Sequence, residues 1–281
     1  MDWEGYTSEN GEGGIFPPEQ LQALQEILHS PPTNYQIQAS RWTLKGIQQV
    51  CDWLKSYSLS GIWRLLSSCH VHYKRGQQHL HSPDPDYSQK RDQSLACVQH
   101  AQEKTDVVTL YLDEFSFYRW PSIAPEYAQA GRRQPQAKIT PGYNTRGRLI
   151  VALDVAKARV LYRQRAHIDL PQLVGFMQDI RNAFPQAQQI NVIQDNWHNV
   201  HFHPDQLAIA KQLRINLIPL PVYAPWLNPV EKLGRKLRQE IIHMHRQSDD
   251  WPQLKQRVCN FLDQFDHGSN ELLRYVGLSP V

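Results

Sequence analysis

The sequence predicts a mixed α/β domain preceded by a small all-α domain, and three observations carry that expectation. Short apolar, β-branched runs such as VVTLYLD at 107–113 and INVIQD at 190–195 alternate with helical-period segments after residue 106. Three consecutive strand-like runs, then alternating helices and strands, fit a mixed sheet covered by helices. Before residue 106, apolar spacing is helical wherever it is periodic.

Four segments follow in chain order. Residues 1–17 form an acidic, glycine-rich stretch with Asp2, Glu4, Glu9 and Glu12, expected to be a flexible tail. Residues 18–76 read as helices. Leu21, Leu24, Ile27 and Leu28 mark the first, which stops at Pro31 and Pro32. Leu44, Ile47, Cys51 and Leu54 mark the second, and Leu59, Ile62, Leu65 and Leu66 the third. Thr43 and Ser58 are placed to cap the last two, and the short break between them predicts a helix-turn-helix with Ser60, Trp63, Arg64, Ser67 and Ser68 on its free face. An ordinary helical hairpin has the same pattern. Residues 77–105 read as a polar linker running into a helix from about 87 to 104. From 106 to 281 the expected order is strand 107–113, a turn-rich hairpin region, strands 148–154 and 159–165, helix 170–182, strand 189–195, helix 205–213, strand 215–219, a long helix from Pro229, and amphipathic segments at 251–265 and 269–276.

Composition narrows the function classes. With 41% hydrophobic and 20% charged residues the chain is globular. A net charge of +3 and pI near 8.6 permit a polyanionic partner without demanding one. No apolar run approaches the roughly 20 residues that span a bilayer, and MDWEGYTSENGEGG lacks signal-peptide character, so the expectation is a cytoplasmic protein without a membrane partner. Cys51, Cys69, Cys97 and Cys259 form no CxxC pair and are expected to be reduced and mostly buried. No GxSxG elbow supports acyl chemistry.

Three carboxylates carry the chemistry. Asp113 and Asp195 end strand-like runs and Glu231 opens a basic helix, places where an α/β fold exposes side chains at one sheet edge. Hard oxygen ligands suit magnesium, and two ions about 3.5–4 Å apart would serve phosphoryl transfer on nucleic acid. Taken singly, each acid is better explained as a cap at an element end, and it is the three together with their sequence surroundings that favour a site.

The strings DEF at 113–115, DN at 195–196 with His201 downstream, and LPVYAPWLNPVEKLGRKLR at 220–238 resemble the DDE transposases of the Tc/mariner superfamily. The nearest likeness is to its bacterial insertion-sequence branch, including the SPDPDYSQK segment at 82–90. The YAPWLNPVE string, set 35 residues (196–230) beyond Asp195, is the specific signal. The resemblance runs from about residue 18 onward. It implies an RNase H-like catalytic domain with Asp113, Asp195 and Glu231 as catalytic, metal-binding triad, Mg2+ or Mn2+ as cofactor, and double-stranded DNA, both transposon ends and target, as partner. It also implies nicking at transposon ends, joining of 3′ ends to target DNA, and a homodimer. Glu114, Asn196, His201 and Asn228 are expected to line the site. Relatives commonly carry two N-terminal helix-turn-helix units, whereas 41 residues precede Trp42 here, and the KSYSLSG turn is short. A repurposed DNA-binding descendant, or an endonuclease without strand transfer, are the alternatives.

Lys45, Ser60, Trp63, Arg64, Lys74, Arg75, Arg132, Arg133, Lys232, Arg235 and Lys236 are the candidate DNA contacts, and Lys138, Arg146 and Arg148 share the hairpin region with two of them. Trp197 and Trp226 flank the triad as stacking or core residues. The cluster His198, His201 and His203 has spacing that does not place all three on one helix face, so a dedicated transition-metal site is not expected.

Overall fold

The computed structural model describes residues 17–74, 81–196 and 201–278. The tail 1–16, Arg75, Trp197 and His198 lie outside them. The chain divides into two compact units, Met1–Gln78 and His79–Val281.

The first unit holds α1 (Pro18–His29), α2 (Leu44–Val50) and α3 (Leu59–Ser68). Leu24, Ile27, Ile47, Cys51, Leu54, Ile62 and Leu66 form its core, so the apolar stripes meet as their spacing requires. Thr43 Oγ1 accepts from Gly46 N at 3.1 Å and Ser58 Oγ from Gly61 N at 3.1 Å, which caps α2 and α3.

The second unit is built on a five-stranded mixed sheet of order β3-β2-β1-β4-β5. Its strands are β1 (Val107–Tyr118), β2 (Arg146–Asp154), β3 (Val160–Arg165), β4 (Gln189–Gln194) and β5 (Ile215–Pro219). β1 and β2, and β2 and β3, run antiparallel, whereas β1–β4 and β4–β5 are parallel. One face packs on α4 (Tyr87–Glu103), α7 (Val230–Leu237), α8 (Trp251–Asp263) and α9 (Asn270–Val276). The other packs on α5 (Leu170–Ala183) and α6 (Pro204–Gln212). The helix at 87–103, expected beside a linker, thus belongs to the sheet's own packing.

β1 runs five residues past Asp113, where a turn-rich region was expected. The acidic pair conceals a continuing alternation. Phe117 is buried, and the ladder to β2 persists from Leu110↔Asp154 to Tyr118↔Arg146. The parallel ladder to β4 ends at Tyr111↔Ile193, so Asp113 lies just beyond β4's last paired residue although it is mid-strand. The long helix expected from Pro229 is α7 followed by a π-helical turn, Arg238–Ile242. All four cysteines are free, but only Cys51 is buried.

Phe117 stacks on Trp251 with ring centroids 5.3 Å apart and lies against Gly147, where a Cβ would stand 2.5 Å from the ring. A buried ring cannot give way as a flexible side-chain end can. Gly147→Ala is therefore expected to destabilise the second unit by about 1–3 kcal/mol, checked by denaturant unfolding.

Candidate active site

Strand pleat sends consecutive residues to opposite faces. Asp113 shares the face of Tyr111 and Phe117, toward α7, while Glu114 shares the face of Leu110 and Leu112, toward α5 and α6. Asp195 follows the end of β4 between them, and Glu231 lies in the first turn of α7. Asp113, Asp195, Asn196, Asn228 and Glu231 line one cleft of about 520 Å³, walled by Leu220, Pro221, Val222, Tyr223, Ala224 and Pro225.

Asn228 fastens this cleft. Its buried amide donates to Leu112 O at 3.3 Å and to Asp113 Oδ2 at 3.2 Å, and its Oδ1 accepts from Val230 N at 3.1 Å. One side chain thereby ties the strand bearing Asp113 to the helix start bearing Glu231. Asp113 Oδ1 also accepts from Glu114 N at 2.8 Å.

The charge arrangement is unfavourable in isolation. Burial, then the negative fields of Glu231, Glu114 and Asp195, push the Asp113 carboxyl up to about 8. His201, with a fully buried side chain, answers part of that charge. Its Nε2 lies 3.0 Å from Glu114 Oε1, and its Nδ1 lies 2.8 Å from both Asp195 Oδ1 and Asp195 O. Burial disfavours the imidazolium, but hydrogen bonds to Asp195 and Glu114 outweigh it and raise His201 to about 10. The ligand-type atoms of Glu114, Asp195 and His201 lie within 4.8 Å of one another. With both ring nitrogens facing oxygens, the protonated ring donates to both acids, while in its neutral form the three groups are close enough to hold a metal ion together. His203 instead accepts from Asp205 N at the start of α6.

The wall at 220–227 is latched from outside. Asp84, buried, accepts from Val222 N at 2.9 Å, Asp86 N at 3.0 Å and Lys90 Nζ at 2.8 Å, while Ser82 Oγ donates to Val222 O at 2.6 Å. The Lys90 ammonium first, and then Val222 N–H, hold the Asp84 carboxyl below its ordinary value. Trp226 is half exposed and donates to Tyr87 Oη at 3.2 Å, so it is no core residue. Sequence reasoning missed the latch: the clustered prolines and acids of SPDPDYSQK read as linker, although an S-x-D followed by Lys is the pattern of a local polar knot.

The remaining candidates scatter. Arg132 and Arg133 are exposed on the 119–145 excursion between β1 and β2. Arg235 is exposed on α7, but Lys232 donates to Val276 O at 2.9 Å, and Lys236 pairs with Glu240 and lies over the Tyr275 ring. In the first unit Lys45, Ser60, Trp63, Arg64 and Lys74 are exposed. Ser67 and Ser68 spend their hydroxyls on Trp63 O and Leu65 O within α3.

Residues 108–255, more than half of the chain, match the DDE superfamily endonuclease family. The chain belongs to that family. Within it, the chain is similar to a protein of the insertion element IS630 and to the Mos1 mariner structures. The insertion element IS630 uncharacterized 39 kDa protein of Shigella sonnei is 24% identical over 244 residues, covering 85% of this chain and 69% of that protein. The fold is that of the Mos1 mariner structures. The Mos1 paired end complex with Mn matches at TM-score 0.66 and 14% identity, covering 97% of this chain and 78% of that one. The Mos1 strand transfer complex matches at TM-score 0.62 and 15% identity, covering 95% and 77%. The likeness extends to an RNase H-like sheet flanked by helices and to the helical N-terminal region.

Two predictions come from the charge balance. Because Asp113 binds its proton more tightly folded than unfolded, the metal-free protein loses stability as pH rises from about 4 through about 8. Asp113→Asn removes that dependence, so its melting temperature should exceed wild type at pH 8 in chelator, the gap closing toward pH 4. Asn228→Asp sets a carboxylate against Asp113 and leaves Leu112 O without its donor. Its melting temperature at pH 8 should fall well below that of Asn228→Ala, and acidification should narrow the difference.

Proposed function

We propose that this DDE endonuclease is a transposase that cleaves DNA at transposon ends and joins the 3′ ends to target DNA. The observation that carries it is the convergence of Asp113, Asp195 and Glu231 on one open cleft. Support comes from the Mos1 relatives, whose structures are paired-end and strand-transfer complexes, with Mn or Mg in two of them.

The donor set fits a divalent cation. Burial first, and then the nearby carboxylates of Glu231, Glu114 and Asp195, keep a proton on Asp113 to about pH 8, and a bound Mg2+ or Mn2+ would take that proton's place. Asp113, Asp195 and Glu231 would hold the metal, which supplies Lewis-acid stabilisation of the attacking and leaving oxygens. Asn228 keeps Asp113 turned toward Glu231, and His201 fixes Asp195 from the opposite face. In the first step a water oxygen bonds to phosphorus and the bond to the neighbouring nucleotide's oxygen breaks. In the second, the freed 3′-hydroxyl oxygen bonds to a target phosphorus while the target's own P–O3′ bond breaks, and the hydroxyl proton passes by way of solvent to the departing 3′ oxygen. The first unit would deliver DNA, with α3 presenting Ser60, Trp63 and Arg64 to the major groove and Lys45 and Lys74 near the backbone. Transposition needs two ends held together, which makes a homodimer the expected working form.

The test is a cleavage and strand-transfer assay with Mg2+ or Mn2+ on DNA flanking the gene. Wild type should nick and join, and Asp195→Asn should lose both by about 100-fold or more while binding DNA as before. Equal activity in the variant removes the triad assignment; nicking without joining would mark an endonuclease alone, and a folded, DNA-binding wild type that cuts nothing would mark a repurposed copy.

A further inference from the structure

Asp113 and Asp195 line a second cleft, of about 250 Å³, together with Glu114, Phe115, Ser116, Arg148 and Ile168. This one lies toward the α5 and α6 face, since Glu114 and Ser116 share the side of Leu110 and Leu112. Arg148 stands on β2 directly opposite Ser116 and is half-buried. Among the described residues its side chain makes no hydrogen bond and no ion pair, and its Nε is fully enclosed without a partner. The neighbouring arginines differ. Arg163 pairs with Asp179, and Arg165, its cross-strand partner on β3, donates to Gln172 and Gln164.

A guanidinium taken partly out of water with nothing to donate to is costly, and such groups are rare unless a partner arrives. The carboxylates that share the cleft are not at pairing distance from it. A planar fork of donors beside two candidate metal-binding acids matches the non-bridging oxygens of a phosphodiester. We propose that Arg148 holds a backbone phosphate of the DNA strand being processed, on the side of Asp113 and Asp195 away from Glu231. The inference rests on the phosphoryl-transfer function proposed above and adds a path: the strand crosses the carboxylates from the larger cleft into the smaller one. Arg148 is thus a substrate-binding residue distinct from the metal-holding acids.

The test compares full-length wild type, Arg148→Gln and Arg148→Lys. With Ca2+ present to prevent turnover, binding to a nicked duplex from the gene's flanks is followed by anisotropy across a salt series. Expected for Arg148→Gln is a salt slope shallower by about 1 and an affinity lower by about tenfold, with Arg148→Lys restoring the slope but only part of the affinity, since an ammonium keeps the charge without the fork. Its melting temperature should equal or exceed wild type, because an unpaired half-buried charge has been removed. In Mg2+ the KM for DNA should rise while the Mg2+ concentration giving half-maximal rate stays put. Unchanged slope and affinity in Arg148→Gln overturn the proposal. So does a tighter Mg2+ requirement, which would make Arg148 a counter-ion of the acids. If wild type binds but never nicks, the transposase function fails while the slope comparison still decides the phosphate contact.

Discussion

Like charges gathered in a partly buried cleft repel, and the second unit is arranged around that repulsion. Asp113 sits among Glu231, Glu114 and Asp195, and burial alone would already disfavour its charge. Three devices hold the group together. Asn228 turns its donating amide toward Asp113, His201 places a buried cation between Glu114 and Asp195, and an open cleft leaves space for a divalent ion. The first two are permanent parts of the fold. The third is supplied from outside, so the protein is poised to gain stability from the cation its chemistry needs. This is the familiar exchange of stability for activity, located here at a single carboxyl.

Much of this was legible in the sequence. Caps at Thr43 and Ser58, the order of strands and helices after residue 106, and the fold class follow from local chemistry and period, because those signals act over a few residues. The DDE family was legible too, through YAPWLNPVE. What escaped was anything that depends on partners distant in sequence. β1 was cut short at Asp113 because its extension is justified only by the β2 ladder, from Arg146 onward. Lys232 read as a DNA contact because its partner here, Val276 O, lies 44 residues away, whereas the Lys236–Glu240 pair is an i, i+4 neighbour that spacing alone could have found. Arg148 was indistinguishable from Arg132 and Arg133, yet only it lines a cleft with the acids.

The SPDPDYSQK segment shows how a loop far from the acids still shapes their surroundings. Asp84 gathers Val222, Asp86 and Lys90 into one buried knot, and Tyr87 meets Trp226. The cleft wall is an irregular stretch, with Tyr223 at positive φ, and has little regular hydrogen bonding of its own. Its shape is borrowed from the start of α4.

The adjacency of Asp113 and Glu114 makes the reading frame of one strand a chemical property. The pleat alone separates an acid that faces Glu231 from an acid that clasps His201, and no hinge or loop lies between them. A one-residue slip of β1 against β2 would exchange the two assignments while leaving composition, charge and length intact. Order in this strand is therefore held to a single peptide unit, and the aromatic rings that follow, Phe115 against α7 and Phe117 against Trp251, act as the teeth that keep it from skipping.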